Sequence, residues 1–171
     1  DGLTGEDVTH NLRTVRSVPL KLRKIGNKPF PRILEVRGEV YMNLKDFKEL
    51  NDSRRETGDV LFANPRNATS GSLKLLDARL TARRHLQFFV HSFGVLDGGE
   101  EIRTQWEFLE KVKADGFRSN PESRLCKDFE DVMKFCQDWQ EKRNTLSYEV
   151  DGVVVKVNDL RQQERLGATL K

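Results

Sequence analysis

Lys156 is surrounded by four valines, Val153, Val154, Val155 and Val157, in the segment of residues 149–158, which reads Glu-Val-Asp-Gly-Val-Val-Val-Lys-Val-Asn. Such β-branched runs are typical of a strand that is buried on both faces. An unpaired ammonium is costly in such a place, so Lys156 must either reach water from an edge strand or meet an anion. The segment alone leaves both environments open, and phosphate is a natural anion for a single positive charge.

A second strand is predicted over residues 33–42, where apolar and polar positions alternate. Its polar face carries Glu35, Arg37 and Glu39. On spacing alone, a solvated outer surface is the better interpretation, and the wall of a polar cleft is the alternative. Gly38 favours the cleft, because a glycine lets a ligand approach the backbone closely.

Capping residues, glycines and apolar spacing predict five helices. They cover residues 5–16 with Thr4 and Asp7 as a capping pair, the stretch from Asn43 to near Gly58, a short stretch capped by Asn67, the stretch from Trp106 to Gly116, and residues 128–142. In the last helix, Met133 and Trp139 repeat at core spacing, so we expect both to be buried.

Residues 86–95 form a further predicted strand, which ends in an Asp-Gly-Gly turn. Strands and helices interleave irregularly, without an internal repeat or a low-complexity linker. This order favours an α+β fold of antiparallel sheets with packed helices. A chain of 171 residues can bury one core, so we expect a single domain over residues 1–171.

Composition predicts a cytoplasmic protein. Charged residues make up 33% of the chain, no apolar run is long enough to span a membrane, and no export leader opens the sequence. The two cysteines, Cys126 and Cys136, form no Cys-x-x-Cys pair and lack histidines at metal-ligand spacing. We expect them to be reduced thiols.

The net charge of +3 is too small to indicate a nucleic-acid partner by itself. Basic residues nevertheless cluster in two stretches, namely Arg66, Lys74, Arg79, Arg83 and Arg84, and Arg13, Arg16, Lys21, Arg23 and Lys24. Each cluster is either an ordinary solvated face or a surface for backbone phosphates. No aromatic residues interleave the clusters, so duplex phosphates are favoured over a single strand that stacks its bases.

Three motifs occur in an order that resembles a known family. They are Leu34-Glu-Val-Arg-Gly-Glu-Val40, Phe62-Ala-Asn-Pro-Arg-Asn-Ala68 with Gly71-Ser-Leu73, and Val150-Asp-Gly-Val-Val-Val-Lys-Val-Asn158. Residues 1–9, 12–15 and 162–167 fit the same pattern. The chain resembles the nucleotidyltransferase-like adenylation domain of bacterial NAD-dependent DNA ligases almost from end to end.

The resemblance implies an enzyme that seals nicks in duplex DNA during replication and repair. In such a ligase, a lysine attacks the α-phosphorus of NAD, nicotinamide mononucleotide leaves, and AMP stays on the lysine. The AMP then passes to the 5′-phosphate at the nick, and the 3′-hydroxyl displaces it. The implied partners are NAD, Mg²⁺ and nicked DNA, the implied state is a monomer, and zinc is expected only in a downstream module.

The family's nucleophile lies in a Lys-x-Asp-Gly motif that residues 1–171 do not contain. Asp151 and Gly152 follow Glu149 instead of a lysine, and Asp1 and Gly2 match the end of a different turn. Lys171 matches only the start of the segment that holds the family's last phosphate-binding lysine, and we give it no role. We therefore expect a partial adenylation domain, truncated at both ends and inactive alone.

Carrying the family motifs over position by position implies three catalytic residues. Lys156 would contact the AMP moiety, Glu39 would reach the ribose and hold a hydrated Mg²⁺ through water, and Arg66 would contact phosphate. The implied nucleotide-binding residues are Glu39, His91, Arg143, Asp151 and Lys156. Those implied for DNA are Arg66 and Lys74. Arg143 fits a surface position equally well.

Two positions depart from the family's commoner pattern. Lys74 stands where many members carry arginine. The lysine offers a point charge in place of the bidentate fork of a guanidinium. His91 stands where a tyrosine usually stacks on adenine, and an imidazole offers less area and titrates near neutral pH. A core histidine is an equally good interpretation of His91.

Two other function classes remain compatible with these residues. An RNA ligase or capping enzyme shares the Asp-Gly and lysine strand pattern but lacks the Asn-Pro-Arg-Asn and Gln-Gln-Glu-Arg-Leu-Gly segments in this order. A non-catalytic nucleotide- or DNA-binding fragment is the other alternative. A Lys-x-Asp-Gly motif encoded just upstream in the parent gene would separate them.

Overall fold

The computed structural model describes residues 4–24, 26 and 29–167. Asp1, Gly2 and Lys171, which enter the motif comparison above, lie outside these residues. The described elements are α1 (Thr9–Leu12), β1 (Ile33–Tyr41), α2 (Leu44–Thr57), α3 (Pro65–Leu73), α4 (Ala78–Ala82), β2 (Gln87–Asp97), α5 (Gln105–Asp115), α6 (Phe129–Lys142), a 3₁₀ turn (Arg143–Thr145) and α7 (Leu160–Leu166).

Strands β1 and β2 pair in a small antiparallel sheet, so the predicted mixture of helices and antiparallel strands is confirmed. The chain divides into two compact units. The first comprises Asp1–Leu20, Val40–Phe88 and Thr145–Glu149, and the second comprises Lys21–Glu39, Phe89–Asn144 and Val150–Lys171. The single domain over residues 1–171 stays a prediction.

The first unit is mainly helical. Its buried apolar residues are Val15, Met42, Leu50, Ala68, Leu86 and Phe88. Helix α2 begins after Asn43 and ends at Gly58, as predicted. Gly58 has a φ of 75°, a left-handed conformation that glycine adopts without steric cost.

Two predictions for this unit are wrong in detail. The cap of α3 is Asn64 instead of Asn67, because Pro65 suits the first helical turn and the cap must precede it. The Asn64 side chain accepts a hydrogen bond from the Asn67 backbone N–H at 2.8 Å. Helix α1 has four residues instead of twelve. It begins at Thr9 instead of Gly5, and it ends early because the chain tightens at residues 14–15 into bonds that span three residues.

The second unit packs α5 against β2. Phe108 of α5 is fully buried and its ring centroid lies 4.6 Å from that of Phe93 on β2. Thr104 and Glu107 form a capping box at the start of α5, and the helix ends at Gly116 with a φ of 109°. The predicted helix over this stretch is confirmed.

Two burial predictions for the second unit are wrong. Helix α6 has the predicted bounds, but none of its residues is buried and Met133 is 45% exposed. Residues 150–157 adopt no strand, and Val154 is 80% exposed. In both places the described residues supply no element that covers the apolar side chains, so the apolar spacing did not lead to burial.

Candidate functional site

Lys156 and His91 meet in the second unit. The Lys156 ammonium donates a hydrogen bond of 2.7 Å to the backbone carbonyl of His91, a residue of β2. Burial around the ammonium lowers the pKa of Lys156, although the residue as a whole is exposed. Among the described residues, no carboxylate forms an ion pair with Lys156. An ammonium has three donors, so two remain for an anion.

The His91 ring lies in the electric field of two other predicted site residues. Partial burial lowers the pKa of His91, the charge of Lys156 lowers it further, and the charge of Glu39 raises it. The Ser92 hydroxyl lies 2.9 Å from Nδ1 of the same ring. The charges of Lys156 and Glu39 therefore both act on the His91 ring.

We expect the His91 ring to titrate below its ordinary value of about 6.5. Because folding favours the neutral ring, its contribution to stability is present above that pH and is lost as the pH falls. Lys156→Met should raise the NMR titration midpoint, and Glu39→Gln should lower it. If neither substitution moves the midpoint, these charges do not reach the ring.

Glu39 lies on the exposed polar face of β1, and its neighbours on that face pair with each other. The Glu35 carboxylate accepts hydrogen bonds from Arg37 Nε at 2.8 Å and from the Val95 backbone N–H at 3.2 Å. Both hydrogen bonds lower the pKa of Glu35, and the bond from Arg37 has the larger effect. Gly94 makes this contact possible, since a Cβ there would lie 2.2 Å from the carboxylate carbon.

Arg143 and Asp151 are both exposed. The structure gives neither of them a hydrogen bond or an ion pair to Lys156 or His91 within the described part of the chain. The structure therefore shows no direct polar contact between these two predicted residues and the pair of Lys156 and His91. Their roles in nucleotide binding stay predictions.

The Asn-Pro-Arg-Asn motif presents Arg66 on the first turn of α3, in the first unit. Asn64 caps this helix, Ala68 is fully buried, and a Cβ on Gly71 would lie 3.1 Å from the Phe62 ring. These residues build and pack the helix. Arg66 is exposed, and it has no ion pair with any residue that the structure describes.

Lys74 follows the last residue of α3 and pairs with Glu6, whose Oε2 lies 2.6 Å from its ammonium. Its backbone is held on both sides by one buried side chain. Asn11 Nδ2 donates hydrogen bonds to the Leu73 carbonyl at 2.6 Å and to the Leu75 carbonyl at 2.8 Å. Sequence reasoning missed Asn11, because an asparagine near a helix carries no local sign of bonds that span more than sixty residues.

The structure sets limits on metal and membrane binding. The described residues contain no group of three or more His, Cys, Asp or Glu side chains that could hold a metal ion. A metal at Glu39 would therefore depend on water and on a ligand for most of its coordination. In the same part of the chain, no helix combines the length and apolarity needed to cross a membrane.

Comparison with known proteins gives the family. A model described as the NAD-dependent DNA ligase adenylation domain matches residues 1–171. The chain is 51% identical over 180 residues to a DNA ligase of Pelotomaculum thermopropionicum, covering 100% of this chain and 26% of that protein. It is 47% identical over 167 residues to a DNA ligase of Herpetosiphon aurantiacus, covering 98% and 25%.

A DNA ligase of Thermotoga maritima is 48% identical over 171 residues, covering 100% of this chain and 24% of that protein. The chain thus spans about a quarter of the length of the curated relatives it matches. The family indicated by the sequence motifs is the same as the family whose model matches residues 1–171. This chain belongs to the family of NAD-dependent DNA ligase adenylation domains.

Proposed function

We propose that this chain is the nucleotide-binding part of a DNA ligase that uses NAD to seal nicks in duplex DNA, and that it has a nucleotidyltransferase-like fold. The observation that carries the proposal is the Lys156 contact. A partly desolvated ammonium rests 2.7 Å from a neutral carbonyl, and no described carboxylate pairs with it. A phosphate of a nucleotide would supply the missing negative charge.

The residues around this contact have complementary roles. Lys156 binds a phosphate of NAD or AMP, His91 contacts the adenine, and Glu39 reaches the ribose. Mg²⁺ is usually held by one or two carboxylates, water and substrate phosphates, so a single exposed Glu39 fits a water-mediated site. When bound, Mg²⁺ would offset charge on the transferring phosphoryl group. Asp151 and Arg143 are further candidates for the nucleotide pocket.

The first unit supplies the proposed DNA contacts. Arg66 and Lys74 are exposed cations at the two ends of α3, and both can reach backbone phosphates. Lys74 is paired with Glu6 at the surface, where such pairs are weak enough to be exchanged for a phosphate. Because Lys74 replaces an arginine of the commoner pattern, its contact is a point charge without bidentate geometry.

The full-length gene product tests this function directly. Incubated with NAD and Mg²⁺, it should seal a nicked duplex, whereas ATP in place of NAD should give no product. Mass spectrometry should show the gain of one adenylyl group on the protein before DNA is added. Ligation with ATP, or no adenylyl gain with NAD, would contradict the proposal.

A further inference from the structure

One backbone carbonyl in the second unit accepts two hydrogen bonds. The His91 carbonyl receives the Lys156 ammonium at 2.7 Å and the Gln105 side-chain amide at 3.0 Å. Gln105 is only 9% exposed, although glutamine is usually a surface residue. A cation and a neutral amide therefore both donate to this one oxygen.

The position of Gln105 is fixed by the start of α5. Its backbone N–H donates to the Asn158 carbonyl at 2.8 Å, and the next residue, Trp106, donates its N–H to Asn158 Oδ1 at 3.0 Å. The Gln105 side chain thus joins the start of α5 to His91 of β2. Its backbone N–H joins the same point to Asn158, two residues after Lys156. Gln105 is the residue common to both attachments.

The two donors to this carbonyl differ in what they can do next. A nucleotide phosphate attracts the Lys156 ammonium, whereas the neutral amide of Gln105 has no comparable attraction to it. Lys156 keeps two further donors for that phosphate while one N–H stays on the His91 carbonyl. The Gln105 amide holds the carbonyl oxygen, and the carbonyl in turn holds the ammonium.

We propose that Gln105 is a positioning residue for Lys156, because its amide fixes the His91 carbonyl, and that carbonyl holds the Lys156 ammonium where a nucleotide phosphate can bind it. Gln105 itself touches neither the nucleotide nor the reacting atoms. This inference rests on the phosphate role of Lys156 proposed above, and it adds a residue that the ligase motifs do not include.

Replacing Gln105 tests the inference in the full-length gene product, with AMP as the ligand. Gln105→Met keeps the side-chain length and removes the donor, so AMP affinity measured by calorimetry should fall about tenfold. Gln163→Met is the matched control. It removes a similar amide bond, from Gln163 Nε2 to the Val157 carbonyl at 2.5 Å, but that carbonyl does not contact Lys156. AMP affinity of the control should stay within about twofold of the parent.

A double-mutant cycle separates positioning from a general structural effect. In a Lys156→Met background the carbonyl holds no ammonium, so Gln105→Met should change AMP affinity less than twofold. An equal loss of affinity in both backgrounds would show a structural role and overturn the inference. A tenfold loss confined to the parent background, with matching melting temperatures, would support it.

A second variant covers the case in which Gln105→Met fails to fold. Gln105→Glu keeps the length and places a carboxylate beside the Lys156 ammonium, so the pKa of Lys156 measured by NMR should rise and AMP affinity should fall. An unchanged Lys156 titration would overturn the inference. If Lys156→Met alone leaves AMP affinity unchanged, the phosphate role of Lys156 fails. If only the Gln105 variants leave it unchanged, the positioning role fails alone.

Discussion

Lys156→Met is expected to abolish adenylation by the full-length gene product while its fold stays intact. Loss of a charge that is directed at a reacting phosphoryl group typically costs on the order of a hundredfold or more in rate. Methionine keeps the length and apolar bulk of lysine. It also removes a partly desolvated ammonium that has no carboxylate partner among the described residues, so the melting temperature should hold or rise.

Single-turnover adenylation of the parent and the variant, alongside their melting temperatures, measures both effects. Lys48→Met is a suitable control, because Lys48 pairs with Asp52 at 2.7 Å on the surface of α2. Its removal should leave adenylation within a few-fold of the parent. If Lys156 only extends its ammonium to water, Lys156→Met will behave like this control, and the phosphate role will be wrong.

The bounds of α2, α5 and α6 could be predicted because the signals that set them are local. Gly58 and Gly116 adopt left-handed conformations at the ends of α2 and α5. Asp128 accepts a hydrogen bond from the Asp131 backbone N–H at 2.8 Å and caps α6. Each of these interactions joins residues within a few positions of one another, so the sequence around a helix end contains what decides it.

Burial could not be predicted in the same way, because it depends on what covers a surface. The apolar stripe of α6 and the valines of residues 150–157 have strong core patterns. No residue of α6 is buried, however, and Val153, Val154, Val155 and Val157 are exposed. A pattern shows which face a helix or strand would bury if another element packed on it. The covering element lies elsewhere in sequence, and a single segment gives no information about it.

The sequence named the charged candidates for the site but not the polar residues that hold them. The apolar neighbours of Lys156 left water and an anion open as its partner, and the structure provides no carboxylate for it among the described residues. Gln105 and Asn11 were missed, because each is a polar residue that tertiary hydrogen bonds draw into the interior. Polar residues of this kind read as surface positions until their distant partners are known.

Asn11→Asp is expected to lower the free energy of unfolding of the 171-residue chain by about 2–4 kcal/mol. Asn11 is 7% exposed, and its amide donates to the two carbonyls on either side of Lys74. Aspartate has nearly the same size but no N–H group. Its carboxylate would face two carbonyl oxygens, so two hydrogen bonds would be lost and a charge buried without a donor.

Urea unfolding near neutral pH measures this loss. The control is Asn67→Asp on an exposed residue of α3, for which the free energy of unfolding should change by no more than about 0.5 kcal/mol. The pH dependence identifies the cause. Folding disfavours the charged carboxylate at position 11 and so raises its pKa. The variant should therefore recover stability as the pH falls towards the unfolded value of about 4, because the side chain then gains one O–H donor. If Asn11 contributed only its volume, Asn11→Asp would cost little at any pH, because the two side chains fill the same space.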